Sequence, residues 1–262
     1  MRDELGLNEM PAAANDGMKQ ELIGSETSSG NITAQPENSS RAGWITAAAD
    51  PGFRNCLVSM GITEPEEQEP YSRVDAEQAA ALGFASPTSG IVIAHQNLDG
   101  SQMIGLTGSP YFELRHDNGL EPSPGRRYSM VPKSGTHPFF PRWLKKFLES
   151  TDFCLITEGS KKASVLSCLG FPCIGIVGWT VWRKTGTDEL HDDFRQIPVA
   201  GRTIYLIPDF DGAFNTMIHR EVQKLSLALY AAKAAEVRLI KLPPVSDKKL
   251  GIDDFITEFA GR

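Results

Sequence analysis

Between Thr151 and Leu242 short apolar runs alternate with stretches of helical character, and no other feature of the chain narrows its fold as far. DFCLIT, CIGIV and TIYLIP are near-continuous in apolar residues, as strands buried on both faces are, and VRLIKLP returns as a further strand. The segments between them have a different period. SKKASVLSCLG reads as a helix stopped by Gly170, while Phe214, Ile218, Val222, Leu225 and Leu229 recur at spacings of four and three, one apolar stripe along a long helix. Strands separated by helices pair in parallel, because the crossover returns the chain to run in the same direction. A parallel sheet covered by helices is expected over residues 151–262.

Upstream the pattern changes. RVDAEQAAALGF predicts a short helix ended by Gly83, with Val74, Ala80 and Leu82 among its apolar positions. GIVIAHQ predicts a strand, and the Asp-Gly turn of NLDG favours a hairpin into QMIGLTG. YFELRH and RRYSMV are further strands, joined by the loop DNGLEPSPG. Residues 71–150 are expected to form a small α+β lobe with antiparallel pairing. Residues 1–43, rich in Ser, Asn, Gly, Glu and Thr, hold too little apolar surface to offset ordering entropy, and disorder is expected there. From Gly43 to Pro70 a few apolar residues (Trp44, Ile45, Phe53, Leu57, Val58) run into the acidic EPEEQEP, which reads as a docking element or, preferably, a linker. Residues 1–70 are thus expected to be a disordered acidic leader and linker.

The formal net charge of −7 speaks against a nucleic-acid partner only until it is divided along the chain. Residues 1–75 hold 5 Lys/Arg against 13 Asp/Glu, leaving 21 against 20 for residues 76–262. The later part is near neutral, with basic clusters in RHDNGLEPSPGRRYSMVPK and PRWLKK that suit a local anionic ligand. Cys56, Cys154, Cys168 and Cys173 show no CxxC pair and no zinc-finger spacing, so buried free thiols are expected. No apolar run reaches the ~20 residues of a membrane span, and the N-terminus lacks a secretory core, so a cytoplasmic location is expected.

In an open parallel sheet, ligands gather beyond the carboxyl ends of the strands. Glu158 follows DFCLIT, with Gly159 beside it to let backbone or phosphate approach. Asp209 and Asp211 follow TIYLIP. On neighbouring strands these carboxylates would repel one another, and a hard divalent cation would relieve the repulsion. Asp-x-Asp alone is a weak signal, since Asp also serves as a turn or capping residue after strands.

CLITEGSKKASVLSCLGFPCIGIVGW together with IYLIPDFDGAFN resembles the TOPRIM domain of bacterial primases, topoisomerases and OLD-type proteins. More narrowly, it is similar to a TOPRIM-like family of phage, plasmid and cyanobacterial replication-associated proteins, some of them found beside replicative helicases. The motifs that carry the resemblance are Glu158-Gly159-Ser160-Lys161-Lys162-Ala163, the loop GWTVWRK, the Asp-x-Asp strand end, and Gly251-Ile252-Asp253-Asp254. It covers Tyr71 to Arg262. The fold it implies is α/β: a Rossmann-like TOPRIM parallel sheet with helices on both faces, preceded by the α+β lobe and the leader.

The resemblance further implies Glu158 as general acid or base and Asp209 and Asp211 as metal-binding aspartates, with Mg²⁺ or Mn²⁺ as cofactor. Asp254, with Asp253, adds a second metal position or caps the last helix. Lys161 and Lys162 stand where primases often carry an acidic residue; they face a phosphate at the helix N-terminus or simply solvate the helix. Arg115, Arg126, Arg127 and Lys133 contact nucleic acid or lie on a solvated face. Trp179, Trp182 and Arg183 stack on a base or pack at the rim, packing being preferred. His116, His137, His191 and His219 are dispersed in sequence, and most of them are not expected to be ligands. The implied function is metal-dependent phosphoryl transfer on nucleic acid, primase-like on single-stranded DNA, with a replicative helicase on a separate chain as partner. A TOPRIM nuclease and a non-catalytic binding module are the alternatives.

Overall fold

The computed structural model describes residues 41, 43–184, 186–209, 215–242 and 251–259, with 257–259 described by backbone alone. The expected disordered segment 1–43 lies almost wholly outside the described residues. So does Asp211.

Among the described residues there are two sheets. The first is antiparallel, in the order β1 (Ile45–Thr46), β2 (Tyr71–Val74), β3 (Gly90–Ala94), β4 (Phe112–His116) and β5 (Tyr128–Met130). The second is parallel, in the order β7 (Cys173–Ile176), β6 (Phe153–Glu158), β8 (Thr203–Ile207) and β9 (Glu236–Leu239). Among the described residues the helices are α1 (Pro51–Ser59), α2 (Pro65–Gln68), α3 (Ala76–Ala81), α4 (Leu144–Ser150), α5 (Ser160–Cys168), α6 (Thr216–Ala231) and α7 (Ile252–Phe259).

The parallel sheet is covered on both faces, as the apolar runs demanded. Cys154 and Ile156 of β6, with Ile204 and Leu206 of β8, pack with Leu144 and Leu148 of α4 and with Val222, Leu225 and Leu229 of α6. Leu155 of β6 and Ile207 of β8 turn the other way, toward Ala163, Val165 and Leu166 of α5 and Phe53 and Leu57 of α1. This alternation is the period-two geometry of extended chain.

Four expectations are corrected. The segment 43–70 is no linker: β1 pairs with β2, and Phe53, Leu57 and Ile62 are buried in the second core. Asp50 caps α1 by accepting from Phe53 N at 2.9 Å. The helix expected from Arg73 begins later, because Val74 ends β2 and Asp75 closes a capping box with Gln78. Of its apolar positions Val74 is buried but Ala80 is exposed, and Ala79 is the residue that α3 buries. The Asn97–Gly100 turn forms, with Asn97 N donating to Ser101 O at 2.8 Å, but the hairpin beyond it is reduced to the isolated bridges Gln96–Gln102 and Ile104–Pro110. No described helix is long and apolar enough to cross a membrane.

The acidic run EPEEQEP supplies a structural anchor. Glu67 is fully buried; its carboxylate accepts from Trp143 N (2.9 Å), Arg142 N (3.2 Å) and Ser167 Oγ (2.8 Å). The start of α4 has no capping side chain of its own, so Glu67 does that work from α2 and ties α4 to α5. Burial pushes its carboxyl above the ordinary range against the pull of these donors. Glu67→Ala should destabilise the fold by about 1–3 kcal/mol, because buried donors lose their acceptor. Glu67→Gln, which keeps one acceptor oxygen, should lose less. Thermal unfolding of the two variants checks the order.

Candidate functional site

β6 and β8 are adjacent, with Thr157 opposite Ile207 and Thr157 Oγ1 donating to Ile207 O at 3.2 Å. Glu158 therefore ends β6 beside the point where Asp209 follows β8. Both line a cavity of about 210 Å³, together with Asp253 and Asp254 from the start of α7. Lys161 and Lys162 on α5, Arg115 on β4, Arg127 before β5 and Tyr128 on β5 complete the charged and polar wall. Four acids and four bases meet there.

The turn between β6 and α5 is held by glycines. Gly159 has φ 90° and ψ 149°, a conformation that only glycine adopts without strain, and its N–H donates to Ile176 O at 2.7 Å. A Cβ on Gly159 would meet nothing within 4 Å, so the requirement is conformational. Gly175 on β7 meets a packing limit instead: a Cβ there would lie 2.8 Å from Gly159 O. Ser160, the first residue of α5, donates to Glu113 Oε2 at 2.5 Å, and His95 Nε2 lies 3.7 Å from the same oxygen. A buried glutamate of the antiparallel sheet thus fixes the helix that starts beside Glu158.

The two lysines differ in partner. Lys162 Nζ lies 2.7 Å from Asp209 and Lys161 Nζ 2.8 Å from Asp253 Oδ2, which is nearly buried. Gly251 seats against this pair: a Cβ there would come within 2.6 Å of Lys162 Cε and of Asp253 Oδ1. Gly251 N donates to Asp254 Oδ2 at 3.3 Å, so Asp254 has a capping contact as well as a place on the cavity wall. Desolvation and the Glu113 charge push the Tyr128 phenol up to about 12, so it stays neutral at physiological pH. The carboxylate donor set is all oxygen, which suits a hard divalent cation such as Mg²⁺ or Mn²⁺, and the lysines pair with two of the carboxylates.

Glu158, Asp209, Asp254, Lys161, Lys162, Arg115 and Arg127 are thus brought together. Arg126 is exposed and does not line the cavity, nor does Lys133. Arg183 pairs with Asp188 at 2.5 Å and Glu221 of α6 at 3.2 Å, away from the cavity wall. Trp179 and Trp182 are buried, so packing accounts for them.

Three residues that spacing could not connect also converge. His137 Nδ1 and His191 Nδ1 lie 2.8 and 3.0 Å from Asp193 Oδ2. Burial pushes the Asp193 carboxyl up, but the hydrogen bonds and charges of the two rings outweigh it and leave it well below the ordinary range. The Asp193 contact raises His191.

Residues 143–261 match a family model described as a domain of unknown function, DUF3854. No curated protein matches. Among solved structures, the Aquifex aeolicus primase (zinc-binding and RNA polymerase domains) is similar in fold, with a TM-score of 0.55, 17% identity and 82% of this chain covered. The likeness spans 54% of that chain, so the protein corresponds to about half its length. A primase catalytic domain bound to single-stranded DNA and a DnaG catalytic core, each 14% identical, give TM-scores of 0.41 and 0.42.

Gly159→Ala should cost about 1–3 kcal/mol, because alanine is strained at this backbone conformation while its methyl has room. Differential scanning calorimetry measures the loss; an unchanged melting temperature would show that the turn relaxes freely.

Proposed function

We propose that the protein performs divalent-metal-dependent phosphoryl transfer on nucleic acid, in primase-like synthesis on single-stranded DNA. One observation carries the reading: Glu158 and Asp209 leave adjacent parallel strands into one cavity that also presents Lys161, Lys162, Arg115 and Arg127. The RNA polymerase domain named for the primase of similar fold agrees with it in kind.

Glu158, Asp209 and Asp254, with Asp211 by the resemblance, are the residues that would hold the ion. Bound there, Mg²⁺ or Mn²⁺ supplies neutralisation of developing phosphate charge. The remaining steps belong to the chain. Lys161, Lys162, Arg115 and Arg127 bind and orient phosphates, helped by the free amides at the start of α5. Glu158 accepts the proton of the attacking hydroxyl. A replicative helicase on a separate chain is the proposed partner.

The ion pairs support a second reading. Lys162 already neutralises Asp209 and Lys161 already neutralises Asp253, so the same cavity suits a non-catalytic module that binds nucleic acid without a cation.

The test is incubation with labelled single-stranded DNA and Mg²⁺ or Mn²⁺, with and without nucleoside triphosphates. Extension supports the first reading, shortening identifies a nuclease, and retention without change supports the module. Glu158→Gln should lower turnover by about 10²–10⁴-fold with a smaller loss of metal binding than Asp209→Asn shows, as removal of a general base does. Asp209→Asn should weaken metal binding and turnover together. Lys162→Ala should tighten metal binding by releasing Asp209 and weaken DNA binding. If calorimetry detects no divalent-metal binding in the wild type and all three variants match it in turnover, the catalytic reading fails.

A further inference from the structure

Outside the acidic cavity, the arrangement of His137, His191 and Asp193 poses a problem of hydrogen-bond polarity. His137 lies in the segment that leads from β5 to α4; His191 and Asp193 lie in the loop between β7 and β8, where a 3₁₀ turn runs Asp192–Gln196. His137 Nε2 is 3.3 Å from Ser134 O. A carbonyl only accepts, so in the tautomer that keeps this contact Nε2 carries the hydrogen and the Nδ1 of a neutral ring presents a lone pair. That lone pair faces Asp193 Oδ2 at 2.8 Å, another acceptor.

His191 repeats the conflict. Its Nδ1 caps the 3₁₀ turn by accepting from Asp193 N at 3.3 Å, which requires a lone pair on that nitrogen, yet it lies 3.0 Å from the same Oδ2. With those contacts kept by neutral rings, two imidazole lone pairs face one carboxylate oxygen, whereas a hydrogen on either Nδ1 makes that ring a donor to Asp193 instead. A cation at the point of convergence satisfies all three donors at once. The three ligand atoms lie within 4.8 Å of one another. Metal bonds of about 2.0–2.2 Å ask for only a few tenths of an ångström of separation from the observed contacts. The Ser134 carbonyl behind His137 is the outer contact that fixes a ligating ring's tautomer.

We propose that His137, His191 and Asp193 form a binding site for a borderline divalent transition-metal ion, zinc foremost, which fastens the segment entering α4 to the loop before β8. Two nitrogens and one oxygen select zinc or cobalt(II) over Mg²⁺, whose ligands are oxygens. Side-chain exposure of 7% at His137 and 23% at His191 leaves the ion an approach from the His191 side, where a groove of about 670 Å³ opens. The fourth position is then water. Because Phe139, two residues after His137, pairs with Gly175 on the edge of β7, the ion would brace the same junction between the two sheets from its other side.

The test uses the untagged full-length chain, titrated with Zn²⁺ and Co²⁺ in excess Mg²⁺. The wild type should bind one equivalent, show visible cobalt d–d absorption without the near-ultraviolet band of a sulfur ligand, and gain several degrees in melting temperature with zinc. His191→Ala and Asp193→Asn should each weaken binding by roughly ten-fold or more and lose the thermal gain, as removal of a ligand from a three-residue site requires. Should His191→Ala fail to fold, the cobalt spectrum of Asp193→Asn decides. A wild type that binds no ion, variants that bind as tightly, or a sulfur band assigning the ion to the cysteines would overturn the proposal.

Discussion

The parallel pairing of β6 with β8 is the constraint from which the acidic cavity follows. Phe153 to Thr157 run opposite Thr203 to Ile207, so the two strands end at one level and deliver Glu158 and Asp209 to one rim. A slip of one residue would exchange the faces of a strand, sending Cys154 and Ile156 toward α5 and Leu155 toward α6. Each face fits a different set of helices, so the two cores together fix the register. The carboxylates inherit their positions from packing that involves neither of them.

Charge within the cavity is settled by α5. Lys161 and Lys162 are consecutive on a helix and diverge by about 100°, which lets one reach Asp253 in α7 and the other reach Asp209 beyond β8. The first turn of α5 thus stands between two acidic segments and holds both. An incoming phosphate draws on lysines already committed to carboxylates, and a cation draws on carboxylates already committed to lysines. Under the proposed function, binding of either ligand would release a partner for the other, and an ion on Asp209 would free Lys162 for an anion.

The parallel sheet, its helices and the Glu158–Asp209 pair were legible because each rests on local period or on position at a strand end. What was not legible depends on partners far away in sequence. Phe53, Leu57 and Ile62 are too sparse to show a period, and their burial comes from α5 and the parallel sheet rather than from one another. Glu67 sits in an acidic run that reads as solvated, yet it is buried because the start of α4 and Ser167 of α5 supply its donors. His137 and Asp193 are 56 residues apart, and nothing in the chain between them signals contact. Arg126 and Arg127 look equivalent in sequence; only Arg127 reaches the cavity wall.

The antiparallel sheet has a definite part in this arrangement. Glu113 and Arg115 are two apart on β4 and so share a face, one anchoring Ser160 and the other lining the cavity beside Glu158. Tyr128 pairs directly with Arg115 across β5 and lines the same wall. Tyr71 OH donates to Ser164 Oγ at 2.9 Å, and Phe139 exchanges backbone hydrogen bonds with Gly175 at 2.7 and 3.0 Å. These contacts seat one face of the antiparallel sheet over the first turn of α5. The four acids lining the cavity come from the parallel-sheet half and its two arginines from the antiparallel half. A ligand that engages both the acids and the arginines must bridge the two sheets, and their junction, made by Glu113, Tyr71 and Phe139, fixes the distance it has to span.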